Sequence, residues 1–236
     1  MSSSDDVIRP TGPDPKRVQA MFGRIAKRYD LLNGLMSAGR HHQWRRAAVE
    51  GLKLKRGDSV LDSCSGTGDF LPPLRQAIGL EGKLFAADFS APMLSQANNK
   101  DANACRSVAD ALALPFQDEQ FDALTIGWGL RNTADPAVCL CESRRVLKPG
   151  GRLAVLDMCR PIGLGKLAYA AYARTAPLLG RLSGDQEAYR YLPESASKFL
   201  SATELADAFR HSGFADVKVK LFAFGTIALH IGTRPN

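Results

Sequence analysis

Apolar residues recur along this chain with two periods, and the alternation between them predicts its architecture. From Asp58 onward, short apolar runs near 58–62, 83–88, 104–108, 121–127 and 152–157 read as buried strands. Between them, helical spacing occupies residues near 69–78, 90–99 and 135–147. Strands separated by helical crossovers pair in parallel, so the expected fold is α/β, with five parallel strands and helices on both faces. Residues 203–212 read as a last helix, and Val217–Phe222 with Ile227–Gly232, joined at Gly225, as an antiparallel hairpin ending the sheet. Ahead of the strands, Val18, Met21, Phe22, Ile25 and Tyr29 stand three or four apart and predict an amphipathic helix over 15–29. A second helix through Trp44–Leu52 follows the apolar, glycine-broken stretch Leu31–Met36.

The regularity lapses between 160 and 200, where Ile162–Leu182 is rich in Ala, Leu and Tyr. That segment fits a lid over a site, or equally a helix covering one face of the sheet. The expected organisation is therefore a flexible tail over 1–14 and one domain over 15–236, with a helical cap at 15–52 and a lid-like insertion at 160–200. At 236 residues and 45% apolar, the chain is long enough for one large core.

Charge and cysteines narrow the setting. The net charge of +7 suits an anionic surface, a membrane leaflet or nucleic acid, although no Lys/Arg run exceeds two residues. Without an aromatic and basic stacking platform, nucleic acid is not expected as a partner. Five cysteines, with no Cys-x-x-Cys pair, give no disulfide framework and point to a reducing cytosol. The polar, acidic first residues are not a signal peptide, and no window is apolar enough to span a membrane. His41 and His42 read as a solvated helix start, and no His, Cys and carboxylate set has metal-ligand spacing.

The candidate chemistry begins at residues 60–69, Val-Leu-Asp-Ser-Cys-Ser-Gly-Thr-Gly-Asp, where an apolar strand breaks into a glycine turn. Gly66 and Gly68 allow a sharp turn and a close approach to a ligand, but a dinucleotide fingerprint would need a third glycine where Leu71 stands. Asp69, expected to cap the next helix, would repel a pyrophosphate. A nucleoside without phosphates fits better, and S-adenosylmethionine (SAM), whose sulfonium cation tolerates carboxylates, is the common one. Asp88 ends the second strand, where a carboxylate can accept both ribose hydroxyls, and Asp110, after the third, could read the adenine amino group. Each aspartate alone could be a helix cap; Asp62, Asp69, Asp88 and Asp110 in series outline a nucleoside pocket.

Three further segments are distinctive: Arg24-Ile-Ala-Lys-Arg-Tyr-Asp-Leu-Leu-Asn33, Gly127-Trp-Gly-Leu-Arg-Asn132 and Arg145-Val-Leu-Lys-Pro-Gly-Gly151. Together they resemble the ubiquinone/menaquinone biosynthesis C-methyltransferases, class I SAM-dependent enzymes, over about Lys16 to Gly232. The resemblance implies methylation of a ring carbon of a polyprenylated quinol, such as demethylmenaquinol or a ubiquinol precursor; another lipid or small phenol is the alternative acceptor. It places Thr67, Asp88, Asp110, Ala111 and Gly127 at the cofactor, beside Asp62, Gly66 and Gly68, which the glycine loop itself brings forward. Asp110 stands where Asn is common, Gly127 where Ser is common and Asp157 where many members carry Glu. The same resemblance implies catalytic roles for Arg131, Asn132 and Tyr29, with Phe22, Asp30 and Asn33 against the substrate. Arg131, always charged, is expected to stabilise a developing phenolate rather than to act as a free base. The implied setting is cytoplasmic, with transient contact at the inner face of a membrane, no metal and a homodimer as a further expectation.

Overall fold

The structure, a computed structural model, describes residues 12–163, 165–167, 169, 170, 173, 174 and 186–236. Its seven strands are β1 Ser59–Ser63, β2 Lys83–Asp88, β3 Cys105–Val108, β4 Phe121–Gly127, β5 Leu147–Met158, β6 Ala215–Phe222 and β7 Ile227–Thr233. They form one sheet in the order β3-β2-β1-β4-β5-β7-β6. The first five strands run parallel, while β7 pairs antiparallel with both β5 and β6. The expected hairpin is present, and its second strand is the one against β5, which leaves β6 as the sheet edge.

The helices are α1 Pro15–Ile25, α2 Tyr29–Ser37, α3 Arg40–Leu52, α4 Leu71–Ile78, α5 Ala91–Ala97, α6 Pro136–Val146, α7 Gln186–Lys198 and α8 Ala202–His211. Successive strand residues point to opposite faces, and two cores follow from that alternation. Val60, Ala123 and Ala154 pack with Val49 and Leu52 of α3 and Leu74 and Ile78 of α4. Their neighbours Leu61, Leu124 and Val155 pack on the other face with Leu140 of α6 and Leu205 and Phe209 of α8. Each buried leucine or phenylalanine of this kind contributes roughly 1.5–3 kcal/mol.

Two boundaries differ from the sequence pattern. The helix expected over 15–29 stops at Ile25, and a 3-10 turn at Ala26–Arg28 redirects the chain into α2. Apolar spacing continues through the turn, so periodicity alone does not mark it. The fifth strand starts at Leu147 rather than 152, because Leu147 already pairs with Phe121 before the Lys-Pro-Gly-Gly turn shifts the register to Ala123 with Arg152.

The N-terminal helices divide in two. Val18, Met21, Phe22 and Ile25 of α1 form a small separate core with Met93 at the carboxyl end of the sheet, whereas α3 is layered on the sheet itself. Asp14 caps α1 by accepting from the Lys16 amide, and Pro15 occupies its first turn. Gln19 donates to the Phe89 carbonyl at 2.5 Å and ties α1 to the loop after β2. Most of Ile162–Leu182, expected as a lid or a covering helix, lies outside the described residues.

Candidate active site

The strand order reverses direction at β1 and β4, so their carboxyl ends diverge and open a crevice. The loop after β1 turns there on Gly66 (φ +57°) and Gly68 (φ +83°), and a Cβ on Gly68 would lie 2.8 Å from that of Ala97. Asp88, at the end of β2, is buried and accepts from the Gly66 amide and the Ser90 amide, both at 2.8 Å. Burial pushes its carboxyl up to about 6, against the lowering effect of those two amides.

Asp88 faces a cavity of about 80 Å³. Gly66, Asp110, Ala111, Gly127 and Asn132 line it from the sheet side, and Phe22 and Tyr29 close it from the N-terminal helices. At Gly127 a side chain would meet the Phe70 ring at 2.6 Å, so this residue offers backbone only. Asp110 is exposed, and its Oδ1 accepts from the Leu112 amide at 2.9 Å.

A second cavity of about 240 Å³ lies beside the first. Tyr29 and Trp128 line both, so the two spaces meet at these rings. Arg131, Asn33, His41 and Arg45 face the second cavity among apolar side chains such as Met36, Trp44, Met158 and Ile227. Arg131 is fully buried: Nη1 donates to Asp157 Oδ1 at 2.6 Å and to the Trp128 carbonyl at 2.7 Å. Burial works against its charge, and the Asp157 carboxylate, joined by the Tyr29 and Tyr191 phenols, more than offsets that. Asn132 donates to the same carbonyl and accepts from the Tyr191 hydroxyl at 2.9 Å. Burial raises the Tyr29 phenol, with the Asn33 side chain and the positive charges of Arg131 and Arg45 pulling the other way.

Several residues expected at the site sit elsewhere. Asp62 lies behind the loop, wholly buried, and accepts from Thr125 and Ser65 at 2.7 Å; it shapes the turn without lining either cavity. Thr67 and Gly68 are also outside the lining, since Thr67 donates to Asp30 Oδ1 at 2.5 Å. Asp30 is held by that hydroxyl and by Lys100 at 2.7 Å, away from the second cavity. Phe22, expected against substrate, faces the first cavity instead, because α1 packs over the cofactor side.

Asp69 does not cap α4, whose N-cap residue is Phe70 with no side-chain cap. Its buried carboxylate pairs instead with Arg45 at 3.0 Å and with Lys100, and these cations hold it below the usual range despite burial. His41, read from sequence as a solvated helix start, is buried and faces the second cavity. Trp128, Arg45 and Asp157 were not singled out as site residues. A charged residue four positions from His41 and an unusual Trp between two glycines were the available signals.

A parallel sheet with a glycine loop after β1 and a carboxylate at the end of β2 defines a nucleoside-binding enzyme of the class I methyltransferase type. The chain belongs to the ubiE/COQ5 methyltransferase family, whose model matches residues 11–234. It is 38% identical over 229 residues to the demethylmenaquinone methyltransferase of Anoxybacillus flavithermus, covering 94% of this chain and 97% of that one. It is 39% identical over 225 residues to the protein of that name from Geobacillus stearothermophilus, covering 92% and 96%. Among solved structures, a SAM-dependent methyltransferase of Thermotoga maritima superposes with a TM-score of 0.68 at 24% identity, covering 92% of this chain and 99% of that one. A SAM-dependent methyltransferase of Aquifex aeolicus gives 0.61 at 21% identity, over 94% and 98%; both likenesses concern the fold. This chain is a SAM-dependent methyltransferase.

Proposed function

We propose that this protein transfers the methyl group of SAM to a ring carbon of a prenylated demethylmenaquinol. The observation that carries the reading is the pair of adjoining cavities, one around Asp88 and one around Arg131, meeting at Tyr29 and Trp128. The first fits a nucleoside: a carboxylate with lone pairs free for two ribose hydroxyls, and Phe89, Met93 and Leu112 as apolar walls for a base. SAM held there supplies an electrophilic methyl group. Asp110 would take the adenine amino group, and Gly127 would offer its backbone to the cofactor from the same wall.

The second cavity offers a ring-sized apolar slot with a buried cation. A ring carbon becomes nucleophilic when the neighbouring hydroxyl gives up its proton, and Arg131 would stabilise the resulting phenolate. Unable to accept a proton, the guanidinium acts by charge and by ordering a water that takes the proton. Tyr29 and Asn33 would hold the ring, and the two cavities orient carbon and methyl in line.

A water-insoluble substrate implies transient contact with a membrane, and no helix among the described residues is long and apolar enough to cross one. The decisive experiment supplies purified protein with SAM and a short-tailed demethylnaphthoquinol under reducing conditions. The product should gain one methyl group on the ring. SAM binding with no transfer to that quinol, but transfer to a simple phenol, would replace the reading.

A further inference from the structure

His41 opens α3, and the side chain one turn later, Arg45, donates from Nη1 to its Nδ1 at 2.6 Å. A guanidinium is a donor only and stays charged, so Nδ1 must present a lone pair, and the proton of the neutral ring sits on Nε2. Asp69 Oδ2 lies farther from Nδ1, at 3.5 Å, and is itself paired with Arg45 at 3.0 Å. The charges around the ring are Arg45, Asp69, Asp30 and the neighbouring His42, and burial with Arg45 pushes His41 down to about 4. The ring is thus neutral across the working range, with one N–H left to place. That ring is 4% exposed, lines the second cavity, and has no hydrogen-bond partner for Nε2 among the described residues.

Polar groups stand among the apolar lining of this cavity: Arg131, the Tyr29 phenol, Asn33 and this imidazole, with Arg45 turned to the imidazole and Ser37, Arg40, Tyr169 and Thr226 also in the wall. Resting on the reading of the acceptor as a quinol, we propose that His41 Nε2–H donates a hydrogen bond to the ring oxygen that Arg131 does not serve. A donor that faces this cavity without a protein partner favours a ligand that brings an acceptor, because a ligand that seals the cavity and lacks one leaves the N–H unpaired. The arrangement then distinguishes a quinol, with an oxygen at each end of the ring, from a phenol with one. Arg45 is the positioning residue, since its charge fixes the tautomer.

The test compares wild type, His41→Gln and His41→Leu on a short-tailed demethylnaphthoquinol and its two analogues lacking one ring hydroxyl, with SAM affinity by calorimetry as the control for folding. Wild type should lose about tenfold in kcat/KM on one analogue, the scale of one neutral hydrogen bond. His41→Leu should lose the same factor on the full quinol and no longer distinguish it from that analogue. Glutamine, which can accept from Arg45 and donate into the cavity, should restore most of the difference. Equal losses for His41→Leu on quinol and analogue would assign the ring to packing and overturn the proposal. Should wild type methylate no quinol, the acceptor reading fails separately. Nitrogen-15 spectra still decide on His41: an Nε2–H tautomer that shifts when 1,4-dihydroxynaphthalene, with an oxygen at each end of the ring, is added under reducing conditions supports the donor, and an Nδ1–H tautomer or an unchanged spectrum overturns it.

Discussion

Asp88 carries a pH dependence whose sign can be worked out. Its carboxyl is raised by burial to about 6 from a usual value of 3.8, so the unliganded fold favours the protonated form. The stability this group lends is present at low pH and is lost as pH rises between those two values. Ribose hydroxyls need the anion as acceptor, so SAM affinity should fall as pH drops below about 6, and calorimetry on either side of that value checks it. Asp88→Asn should weaken SAM by roughly 10- to 100-fold, the scale of a charge-assisted bond, and flatten that dependence. An unchanged affinity would remove the ribose assignment. Arg131 needs a different design, because Arg131→Ala strands the buried Asp157 at a cost of about 3–5 kcal/mol. Changing both, Arg131→Met with Asp157→Asn, removes the pair together. Turnover should fall about 100-fold with SAM affinity nearly intact; retained turnover would show that no phenolate is stabilised there. Sequence placed Arg131 past the fourth strand, but pairing across to Asp157 on β5 is a relation between distant positions that no local pattern carries. The same holds for Asp69, where a helix-cap position hid a buried ion pair with Arg45 from α3.

At the scale of elements, the strands were legible because each is a short apolar run bounded by turn residues, and alternate positions feed the two cores. The entry into α2 was not, since the 3-10 turn at Ala26–Arg28 preserves the apolar spacing while changing the axis. That break matters for function, because it brings Tyr29 between the two cavities. The first cavity, about 80 Å³, is smaller than the roughly 300 Å³ of even modest ligand pockets. Helices α1 and α2 bound it through Phe22 and Tyr29, so an outward shift of these helices would widen it for SAM. Asp30 joins α2 to Lys100 and Thr67 on the sheet side, the contact such a shift would break. Asp30→Asn should speed SAM release, and because the side chain is 45% exposed the pair is worth about 1 kcal/mol at most, or up to about fivefold. Stopped-flow release measurements decide; an unchanged rate would mean that these helices do not gate the cofactor.

On the proposed reading the whole molecule meets a substrate whose tail belongs in lipid, and its surface offers apolar and basic groups for such contact. Leu31 and Leu35 stand on the side of α2 turned away from the cavity, 66% and 59% exposed, while Tyr29, Asn33 and Met36 line the cavity from the opposite side. Phe224, on the cavity's other flank, is 83% exposed, and Ile162 and Leu167 are exposed as well. Basic residues Lys27, Arg40, Arg46 and Lys166 lie near these apolar ones in sequence, in a chain of net charge +7. Apolar side chains entering the acyl boundary beside cations facing anionic headgroups give weak, reversible attachment, about 1 kcal/mol for each charge close to the surface. From sequence alone, Ile162–Leu182, with Lys166, Arg174 and Arg181 among its Ala, Leu and Tyr residues, is a second candidate for this contact; the exposed leucines of α2 escape notice there because Leu31–Met36 reads as a glycine-broken apolar stretch with no distinct outer face. Co-sedimentation with vesicles should rise with anionic lipid and fall with salt. Leu31→Gln with Leu35→Gln should weaken it at every lipid composition, whereas neutralising Lys166, Arg174 and Arg181 should weaken it only on anionic vesicles. Equal sedimentation of both variants and wild type would leave the tail to reach the cavity without the protein docking at all.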